Sequence, residues 1–448
     1  SMKLTVVGSG YVGLVTAACF SFAGHDVLCV EKDKKKISSI KKGNLPFYEP
    51  NLENLVKEGI KNGRLIFSTD LSLINEFSES VFICVGTPSN PDGSANISYV
   101  RKSLKQILLI DNLKLEDIVI KSTVPPGTAD RLSSEICEKR NIDLVSCPEF
   151  LREGSAVQDF LKPQRIILGL HNQRKRDKFR SIFSPFNRKQ DRILFMDPVS
   201  AELTKYASNA MLATKISFIN ELSRYSDIKG ANIEKVRMGM GLDSRIGLEY
   251  LYPGCGFGGS CFPKDIDALI SSAKEANLNL DLIKAVKKIN QSQPDYLIDK
   301  LSDHYDNQLN GKTISLWGLS FKPNTDDMRS APALKVISKL VDLGCFLKIY
   351  DPKAMENFKN SPLHTPNTLL CNSASETLEG SDGLVICTEW REFFQIDLNV
   401  FQRMKSKVVI DGRNIYPLET MKENDIIYYS IGRPFTNIKQ GNIELKAS

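Results

Sequence analysis

Leu4-Thr5-Val6-Val7-Gly8-Ser9-Gly10-Tyr11-Val12-Gly13 opens the chain with a short apolar strand that runs into the spacing G-x-G-x-x-G. A helical segment follows. In such a strand–turn–helix unit the first glycine permits the tight turn, the second lets a pyrophosphate approach the backbone, and the third permits close helix–strand packing. The helix N-terminus then offers N–H groups and a positive dipole end to phosphates. This stretch therefore predicts a dinucleotide-binding unit.

Glu31 indicates which dinucleotide binds. It ends the second apolar run, Val27-Leu28-Cys29-Val30, and stands 23 residues after Gly8. A carboxylate at this place accepts hydrogen bonds from a ribose 2′-hydroxyl and repels a 2′-phosphate, so we predict NAD rather than NADP as the cofactor. The alternative is a plain glycine turn followed by a surface glutamate.

Strand-like runs alternate with helical stretches along the chain. After the first two, strands are expected at 81–85, 118–121, 144–146 and 165–170. After Gly311 the pattern recurs, with strands expected at 312–318, 346–352, 383–388 and 407–411. Such alternation predicts an α/β fold with two Rossmann-like, doubly wound parallel sheets. The second half has Gly318-Leu319-Ser320-Phe321-Lys322-Pro323 in place of the glycine motif, so we expect a different ligand there and a phosphate contact from Lys322.

A long helical pattern joins the two halves. It begins at Asp197-Pro198 and reaches about Lys229-Gly230, with residue types that suit the N-cap, the first turn and the C-terminal cap. A helix of about thirty residues is roughly 45–50 Å long, which suits a domain connector and a dimer face. We predict an NAD-binding domain at 1–196, a helical connector and dimerisation region with the cysteine loop at 197–300, and a second Rossmann-like domain with a C-terminal tail at 301–448.

Composition excludes several classes of protein. The 448 residues carry 59 Lys and Arg against 53 Asp and Glu, a net charge of +6, and these charges are spread along the chain, so no nucleic-acid partner is expected. No run approaches the ~18 apolar residues of a membrane span, and the N-terminus does not match a signal peptide. The ten cysteines form no C-x-x-C pair, so we predict neither a disulfide framework nor a metal site, and a cytoplasmic location.

Residues 254–265, Gly-Cys-Gly-Phe-Gly-Gly-Ser-Cys-Phe-Pro-Lys-Asp, are the most informative stretch. Four glycines within six residues allow a ligand to approach the backbone closely. Cys261 follows them, and Pro263 begins a helix expected to reach about Ala276. A thiol at a helix N-terminus beside Lys264 is expected to be partly thiolate, so we interpret Cys261 as reactive rather than structural. Asp265 is either a first-turn acid that stabilises the helix or a base that activates water, and the local sequence leaves both open.

Two other segments carry candidate polar groups. Lys205 and Asn209 stand four residues apart on the long helix and so share one face; a solvated polar stripe is the alternative. Glu149 and Glu153 stand between Pro148 and Gly154 at the end of a strand, which fits a ligand-facing loop, with surface acids as the alternative.

Taken together, these segments make the whole chain similar to the UDP-glucose 6-dehydrogenases, within the wider nucleotide-sugar dehydrogenase group. The resemblance rests on motifs that follow one another in order: Gly8–Gly13, Val85-Gly86-Thr87-Pro88, Lys121-Ser122-Thr123-Val124-Pro125, Cys147–Gly154, Lys205-Tyr206-Ala207-Ser208-Asn209, Asp243-Ser244-Arg245-Ile246-Gly247, Gly254–Asp265, Phe321–Arg329 and Asp411-Gly412-Arg413-Asn414.

The resemblance implies NAD⁺-dependent oxidation of the primary alcohol of UDP-glucose to a carboxylate, in two hydride transfers through a covalent intermediate. Its implied catalytic residues are Cys261 as nucleophile, Lys205 and Asn209 for oxyanion stabilisation, Asp265 to orient or activate water, Glu149 as acid/base, and Thr123 to hold the catalytic water. Its implied cofactor-binding residues are Gly8, Gly10, Tyr11, Val12, Gly13, Glu31, Lys36, Thr87, Thr123, Glu153, Lys264 and Arg329. Its implied substrate-binding residues are Glu149, Phe150, Leu151, Arg152, Glu153, Lys205, Asn209, Arg245, Tyr250, Leu251, Tyr252, Pro253, Gly254, Gly258, Phe321, Lys322 and Arg413.

The resemblance also implies that the 301–448 domain binds the UDP sugar, that the chain forms a homodimer or higher homo-oligomer, and that Arg245 reaches across from a partner subunit. Three alternatives stay open. A sibling enzyme would act on GDP-mannose or a UDP-N-acetylhexosamine. A catalytically silent sugar-nucleotide-binding protein would not need Cys261, Lys205 and Asp265. A one-step hydroxyacid dehydrogenase would not need Cys261.

Overall fold

The computed structural model describes residues 1–436, and these form two compact units. Unit 1 comprises Ser1–Ser208 and Asp267–Asn279, and unit 2 comprises Asn209–Ile266 and residues from Leu280 onward. Most of the predicted C-terminal tail, residues 437–448, lies outside the described residues. The predicted three-region division stays a prediction.

Fourteen strands and seventeen α-helices are found within residues 1–436. The strands are β1 Lys3–Val7, β2 Asp26–Val30, β3 Leu65–Ser68, β4 Ser80–Ile83, β5 Asp117–Ile120, β6 Asp143–Ser146, β7 Ile166–Gly169, β8 Ile193–Met196, β9 Thr313–Trp317, β10 Phe346–Tyr350, β11 Thr368–Leu370, β12 Gly383–Ile386, β13 Val408–Asp411 and β14 Ile427–Tyr429. The α-helices are α1 Tyr11–Phe22, α2 Lys34–Lys41, α3 Leu52–Lys61, α4 Ile74–Phe77, α5 Ser98–Leu108, α6 Thr128–Leu132, α7 Ala156–Leu161, α8 Arg176–Phe183, α9 Pro198–Lys229, α10 Ile233–Gly241, α11 Phe262–Glu275, α12 Asp281–His304, α13 Pro332–Asp342, α14 Met355–Lys359, α15 Ala374–Thr377, α16 Arg391–Phe394 and α17 Leu418–Glu423.

The sheet of unit 1 has the order β3-β2-β1-β4-β5-β6-β7-β8. Its first six strands are parallel and follow the order of a dinucleotide-binding Rossmann sheet, whose ligands bind beyond the carboxyl ends of the strands. The sequence predicts a wholly parallel sheet, and this prediction is wrong for one pair of strands. Strand β7 pairs antiparallel with β6 and parallel with β8. Antiparallel neighbours need no long crossover, and only the six-residue helix α7 lies between β6 and β7.

The sheet of unit 2 repeats that order as β11-β10-β9-β12-β13-β14, with every pairing parallel. Two Rossmann-like, doubly wound α/β sheets with a long connecting helix are therefore confirmed. The sequence did not predict β3, β8, β11 and β14, which include the short strands at the sheet edges. These four strands are only three or four residues long, and Ile66 of β3 and Leu194 of β8 are about half exposed.

The packing of β1 on α1 explains two of the glycines in the opening motif. Gly8 has φ +102, a left-handed conformation that glycine adopts without strain. A Cβ on Gly13 would lie 2.0 Å from the carbonyl oxygen of Gly8, so only glycine lets the helix pack this close to the strand. Leu4 and Val6 of β1 are fully buried in the core that this packing creates.

Helix α9 is confirmed at Pro198–Lys229, with 32 residues. Asp197 caps its start, because its carboxylate accepts hydrogen bonds from the N–H and the hydroxyl of Ser200, both at 2.8 Å. Gly230 follows its end with φ +72. The division between the two compact units falls within this helix. No helix within residues 1–436 combines the length and the apolar character needed to cross a membrane.

Candidate active site

The glycine loop of unit 1 leaves open space where a phosphate could approach. A Cβ on Gly10 would meet nothing within 4 Å. Gly10 is also the N-cap residue of α1, and no side chain among the described residues caps that helix start. Gly8, Gly10, Tyr11, Val12 and Gly13 therefore lie together around the N-terminus of α1, as the sequence predicts. This arrangement fits the pyrophosphate of a dinucleotide.

Glu31 follows β2 beside this loop. Its Oε1 accepts a hydrogen bond from Ser9 Oγ at 2.7 Å, its Oε2 accepts one from the N–H of Asp33 at 3.1 Å, and Lys36 Nζ lies 3.4 Å from Oε1. Burial alone would raise the pKa of Glu31, but these hydrogen bonds and the Lys36 ammonium hold that pKa below its ordinary value. The carboxylate is thus charged at neutral pH and able to accept from ribose hydroxyls, so the residues present fit NAD.

Two loops at the carboxyl ends of β4 and β5 are joined to each other. Ser122 Oγ donates a hydrogen bond to the carbonyl oxygen of Val85 at 2.7 Å. This bond fixes the segment that carries Thr123 next to the segment that carries Thr87. Thr87 is buried and Thr123 is half-buried. Both predicted cofactor-contacting threonines therefore stand at the edge of the sheet where a Rossmann fold binds its ligand.

Glu202 on α9 anchors the loop that follows Thr123. Its two carboxylate oxygens accept hydrogen bonds from the N–H groups of Gly127 and Ala129, both at 3.0 Å. Burial raises the pKa of Glu202 to about 7, although the two N–H donors act in the opposite direction. Glu202 was not predicted as a site residue from the sequence; its place one turn before Lys205 on the same helix was the available signal.

Glu149 and Lys205 form a buried ion pair in unit 1. Lys205 Nζ lies 3.3 Å from Glu149 Oε1, and the two side chains are 4% and 5% exposed. The other oxygen, Oε2, accepts a hydrogen bond from the N–H of Leu151 at 2.7 Å. The ring of Phe150 lies 5.5 Å from the Lys205 ammonium. Four predicted site residues therefore occupy one cluster, and the solvated-stripe alternative does not apply to Lys205.

The remaining predicted residues of this loop are placed differently. The guanidinium of Arg152 donates to both carboxylate oxygens of Asp159, at 3.0 and 2.7 Å. Arg152 is exposed and Glu153 is half-buried. The Arg152 side chain thus already contacts an acid, which weakens its assignment as a substrate-binding group; that assignment stays a prediction.

Cys261 differs from every other cysteine of unit 1 and unit 2. It is partly exposed, whereas the other nine are buried, and none of the ten forms a disulfide. Burial raises the pKa of most of the buried thiols, to about 11 for Cys137 and for Cys345, whereas a hydrogen bond with Cys387 lowers the pKa of Cys255. Cys261 directly precedes α11, and its carbonyl oxygen accepts the N–H of Asp265 at 2.7 Å. Its exposure and its place at a helix N-terminus are typical of a reactive cysteine.

Asn209 and Asp265 lie together in unit 2. Asn209 Nδ2 donates a hydrogen bond to Asp265 Oδ2 at 2.8 Å, and both side chains are buried. Lys264 Nζ lies 3.4 Å from the other oxygen, Oδ1. A first-turn acid whose only role is to stabilise its helix would face solvent. The buried contact with Asn209 speaks against a purely helix-stabilising role, and the alternative that Asp265 is a base that activates water stays a prediction.

The sequence predicts that the glycines before Cys261 let a ligand approach the backbone, but the structure shows protein segments packed against them. A Cβ on Gly258 would lie 2.3 Å from the carbonyl oxygen of Ser330, and one on Gly259 would lie 2.8 Å from the ring of Phe321. A Cβ on Gly254 would lie 2.9 Å from the carbonyl oxygen of Gly412. These glycines therefore permit the close approach of the chain's own segments, which the local sequence could not reveal.

Arg413 lies beside Gly254 in unit 2. A Cβ on Gly254 would be 3.1 Å from a terminal nitrogen of the guanidinium. Arg413 Nε donates to the carbonyl oxygen of Cys387 at 2.8 Å. Its second terminal nitrogen is buried and has no hydrogen-bond partner among the described residues. A buried guanidinium nitrogen without a partner costs free energy, so the site fits a ligand that supplies an acceptor such as a phosphate oxygen, beside the Glu389 carboxylate that lies 3.6 Å from Nε.

The other predicted residues of unit 2 lie around these groups. Tyr250 has φ +63 and packs its ring 6.2 Å from that of Phe262, next to Cys261. Tyr252 is exposed, whereas Leu251 and Pro253 are buried. Lys322 Nζ lies 5.4 Å from the ring of Phe321.

The two predicted arginines Arg329 and Arg245 each contact an acid two residues earlier in the chain. Arg329 donates a hydrogen bond to Asp327, and Arg245 donates one to Asp243. The Arg245 side chain is 87% exposed.

The second sheet is closed to a dinucleotide at the place where the first is open. Asp351 follows β10, as Glu31 follows β2, but its Oδ2 accepts the N–H groups of Leu319 and Ser320 at 2.7 and 3.0 Å. Trp390 Nε1 donates to the same oxygen at 3.1 Å. The backbone donors that would contact a pyrophosphate are therefore engaged by a buried acid, in agreement with the expectation of a different ligand. Within residues 1–436 no group of three or more His, Cys, Asp or Glu side chains could hold a metal ion.

A Rossmann glycine loop with a ribose-binding acid, together with a half-exposed cysteine at a helix N-terminus, is typical of nicotinamide-dependent oxidoreductases. Three models of one family match the chain: the NAD binding domain of the UDP-glucose/GDP-mannose dehydrogenase family at residues 2–187, its central domain at 199–292, and its UDP binding domain at 315–417. The chain belongs to the UDP-glucose/GDP-mannose dehydrogenase family. It is accordingly an oxidoreductase that uses NAD.

Individual relatives agree with this assignment. The UDP-glucose 6-dehydrogenase of Pseudomonas aeruginosa is 41% identical, over 97% of this chain and 98% of the relative. That of Bacillus subtilis is 41% identical, over 96% and 98%. Among solved structures, a UDP-glucose dehydrogenase from Pyrobaculum islandicum matches with TM-score 0.87 and 33% identity, over 97% of this chain and 98% of that one. A UDP-D-ManNAc dehydrogenase from Pyrococcus horikoshii matches with TM-score 0.82 and 25% identity, over 96% and 99%.

Proposed function

We propose that the chain oxidises UDP-glucose to UDP-glucuronate with two NAD⁺ per sugar, through a thioester on Cys261. The observation that carries the proposal is the contrast among the cysteines: nine are buried, and the remaining one is half-exposed at the N-terminus of α11. The similarity to UDP-glucose 6-dehydrogenases at about 41% identity along nearly the whole chain supports this substrate. The sibling substrates, GDP-mannose and UDP-N-acetylhexosamines, are the second candidates.

The covalent route explains why a thiol is needed. The C6 alcohol first loses a proton and a hydride and becomes an aldehyde. The Cys261 thiolate then adds to the aldehyde carbon, and the resulting thiohemiacetal loses a second hydride to give a thioester. Water displaces the thiolate and leaves the carboxylate. The cofactor, when bound at the Gly8–Gly13 loop, accepts the hydride in each oxidation. Covalent capture retains the aldehyde and divides the four-electron oxidation into easier steps.

Negative charge develops on the substrate oxygen when the thiolate adds and again when water attacks. Lys205 and Asn209, on a helix of 32 residues, are rigidly placed donors suited to stabilise that charge. The Asp265 carboxylate accepts a hydrogen bond from the Asn209 amide, and this bond fixes the orientation of the Asn209 N–H₂ group. The same carboxylate is proposed to receive a proton from the attacking water. Glu149 is the proposed acid/base, and its carboxylate lies 3.3 Å from the buried Lys205 ammonium. Thr123 is proposed to hold the attacking water.

The stoichiometry of cofactor reduction tests the proposed function. With UDP-glucose limiting and NAD⁺ in excess, we expect about two NADH per sugar, since each of the two oxidation steps releases one hydride. The measurement is the end-point absorbance of NADH together with quantification of UDP-glucuronate, repeated with GDP-mannose and a UDP-N-acetylhexosamine. One NADH per sugar, a preference for NADP⁺, or faster turnover of a sibling substrate would contradict the proposal.

Replacement of Lys322 tests the proposed division of ligands between the two sheets. We propose that unit 2 binds the uridine diphosphate, chiefly through Lys322 after β9 and Arg413 after β13. Lys322→Ala removes a cation near an anionic diphosphate, so the KM for UDP-glucose should rise about tenfold, as expected for the loss of one charge-assisted contact. The KM for NAD⁺ should stay close to that of the parent. Equal losses of both affinities would mean that the two ligands are assigned to the wrong sheets.

We propose that the chain forms a dimer or larger assembly through α9. Met211, Phe218 and Tyr225 recur at seven-residue intervals on this helix and are 48–60% exposed, and Ile228 is 78% exposed. Such a stripe is typical of a helix–helix contact, and in a monomer it would expose a contiguous apolar patch. That Arg245 reaches the active site of a partner subunit stays a prediction.

Sedimentation velocity tests the assembly. The parent should sediment at twice the chain mass or more, and Phe218→Glu should shift the protein toward the monomer, because it introduces a charge into the apolar stripe. Leu109→Glu, which alters an exposed leucine on unit 1, is the matched control and should leave the assembly intact. A fully active monomeric parent would contradict this proposal. We further propose a cytoplasmic location, supported by ten cysteines that form no disulfide, as expected in a reducing compartment.

A further inference from the structure

The loop between β6 and α7 carries Glu149, the proposed acid/base, yet it is an irregular segment of the backbone. Irregular loops lose their positions readily unless other groups hold them. Near its start, Glu149 itself accepts the N–H of Leu151. Its far end is held by a residue from a remote part of the chain, Glu49.

Glu49 lies in the connection between α2 and α3 and is 4% exposed. Both of its carboxylate oxygens accept the N–H of Gly154, at 2.8 and 2.9 Å, and Oε1 also accepts the N–H of Ala156 at 2.9 Å. Gly154 has φ +90, and Ala156 is the first residue of α7, whose N–H has no acceptor inside its own helix. One buried carboxylate thus holds both the left-handed turn and the start of the helix.

The chemistry of these contacts requires a carboxylate. Bonds from backbone N–H groups to a charged acceptor are shorter and stronger than those to a neutral one. An amide at this place would direct its N–H₂ group at the N–H of Gly154, because both oxygens of Glu49 receive that donor. Two donors would then face each other in a buried site, which leaves polar groups unsatisfied.

We propose that Glu49 is a positioning residue for the reaction: it fixes the Glu149–Glu153 loop through Gly154 and Ala156, and thereby sets the geometry of the Glu149–Lys205 pair. The proposal rests on the proposed function, in which Glu149 is the acid/base. Glu49 has no direct part in the chemistry and acts through the backbone it holds. A shift of about 1 Å at a catalytic group can lower the rate about a hundredfold. Loss of the hydrogen bonds at Gly154 is therefore expected to displace Glu149 and lower the rate.

The test compares Glu49→Gln with the parent and with Glu53→Gln. Glu53 is the matched control because its carboxylate, on the adjacent helix α3, is 55% exposed and accepts a hydrogen bond from Lys57 of the same helix at 2.7 Å. Glu49→Gln should lower kcat/KM for UDP-glucose about ten- to hundredfold, with a smaller loss in the affinity for NAD⁺, whose glycine loop is untouched. Glu49→Asp keeps the charge on a shorter side chain and should be intermediate. Glu53→Gln should match the parent.

Hydrogen–deuterium exchange gives a readout that does not depend on activity. The peptide that covers residues 150–157 should exchange faster in Glu49→Gln than in the parent, while peptides from β1 and α1 keep their protection. If the parent does not oxidise UDP-glucose, the proposed function fails, and the exchange of this peptide still decides whether Glu49 is the anchor. Parent-like kcat/KM in Glu49→Gln, unchanged exchange at 150–157, or loss of protection throughout unit 1 in both Glu49 variants would each overturn the proposal.

Discussion

Cys261→Ser should lose overall turnover of UDP-glucose by several orders of magnitude, on the scale seen when other covalent nucleophiles are removed. A serine hydroxyl is a far weaker nucleophile than a thiolate at neutral pH. The half-exposed position at the start of α11, which favours a thiolate, gives a hydroxyl no comparable advantage. The first hydride transfer does not need the thiol, so a slow burst of NADH up to one equivalent of enzyme should remain.

Cys255→Ser is the matched control for that variant. Cys255 stands in the same loop but is fully buried, with its Sγ 3.8 Å from the carbonyl oxygen of Cys387. A serine hydroxyl can donate to that oxygen, so most activity should remain. Mass spectrometry after incubation with UDP-glucose and NAD⁺ should place any sugar adduct on residue 261. Parent-like turnover by Cys261→Ser, or an adduct on Cys255, would show that the proposed covalent route is wrong.

Lys205→Met should lower kcat about 10²- to 10³-fold, the usual effect of removing one donor that stabilises a developing oxyanion. The variant should also be less stable, because it leaves the Glu149 carboxylate buried without its cation, a change that typically costs about 3–5 kcal/mol. Steady-state kinetics and the thermal midpoint measure the two effects separately. Lys274→Met, at an exposed position of α11, is the control and should resemble the parent in both.

A double variant separates catalysis from stability at this pair. Lys205→Met combined with Glu149→Gln removes both charges, and neutral replacement of a whole buried pair is far less costly than removal of one partner. The double variant should therefore regain much of the lost stability while its kcat stays low. If kcat recovered together with the thermal midpoint, Lys205 would be a structural residue and its proposed role at the oxyanion would be refuted.

Local sequence was sufficient wherever function depends on a few adjacent residues. The Gly8–Gly13 loop and Glu31 belong to one strand–turn–helix–strand unit, and Cys261 belongs to one helix start. The structure places the loop at the start of α1, Glu31 after β2 and Cys261 before α11. Glu49 and Glu202 could not be predicted from the sequence, and the reason is physical. Their hydrogen bonds reach residues 105 and 75 positions away in the chain, and no local pattern distinguishes a glutamate that caps a remote loop from one on the surface.

The sequence by itself determined the two Rossmann-like sheets, the length of α9 and the use of NAD, because hydrophobic periodicity, capping residues and glycine spacing act over short distances along the chain. Only the tertiary structure decided what the glycines before Cys261 accommodate, which acids are buried, and that β7 reverses direction beside β6. It also showed that Asp351 occupies the backbone donors of the second sheet, where the first leaves space beside Gly10. These features depend on the close packing of segments far apart in sequence, and close packing is set by the whole fold at once.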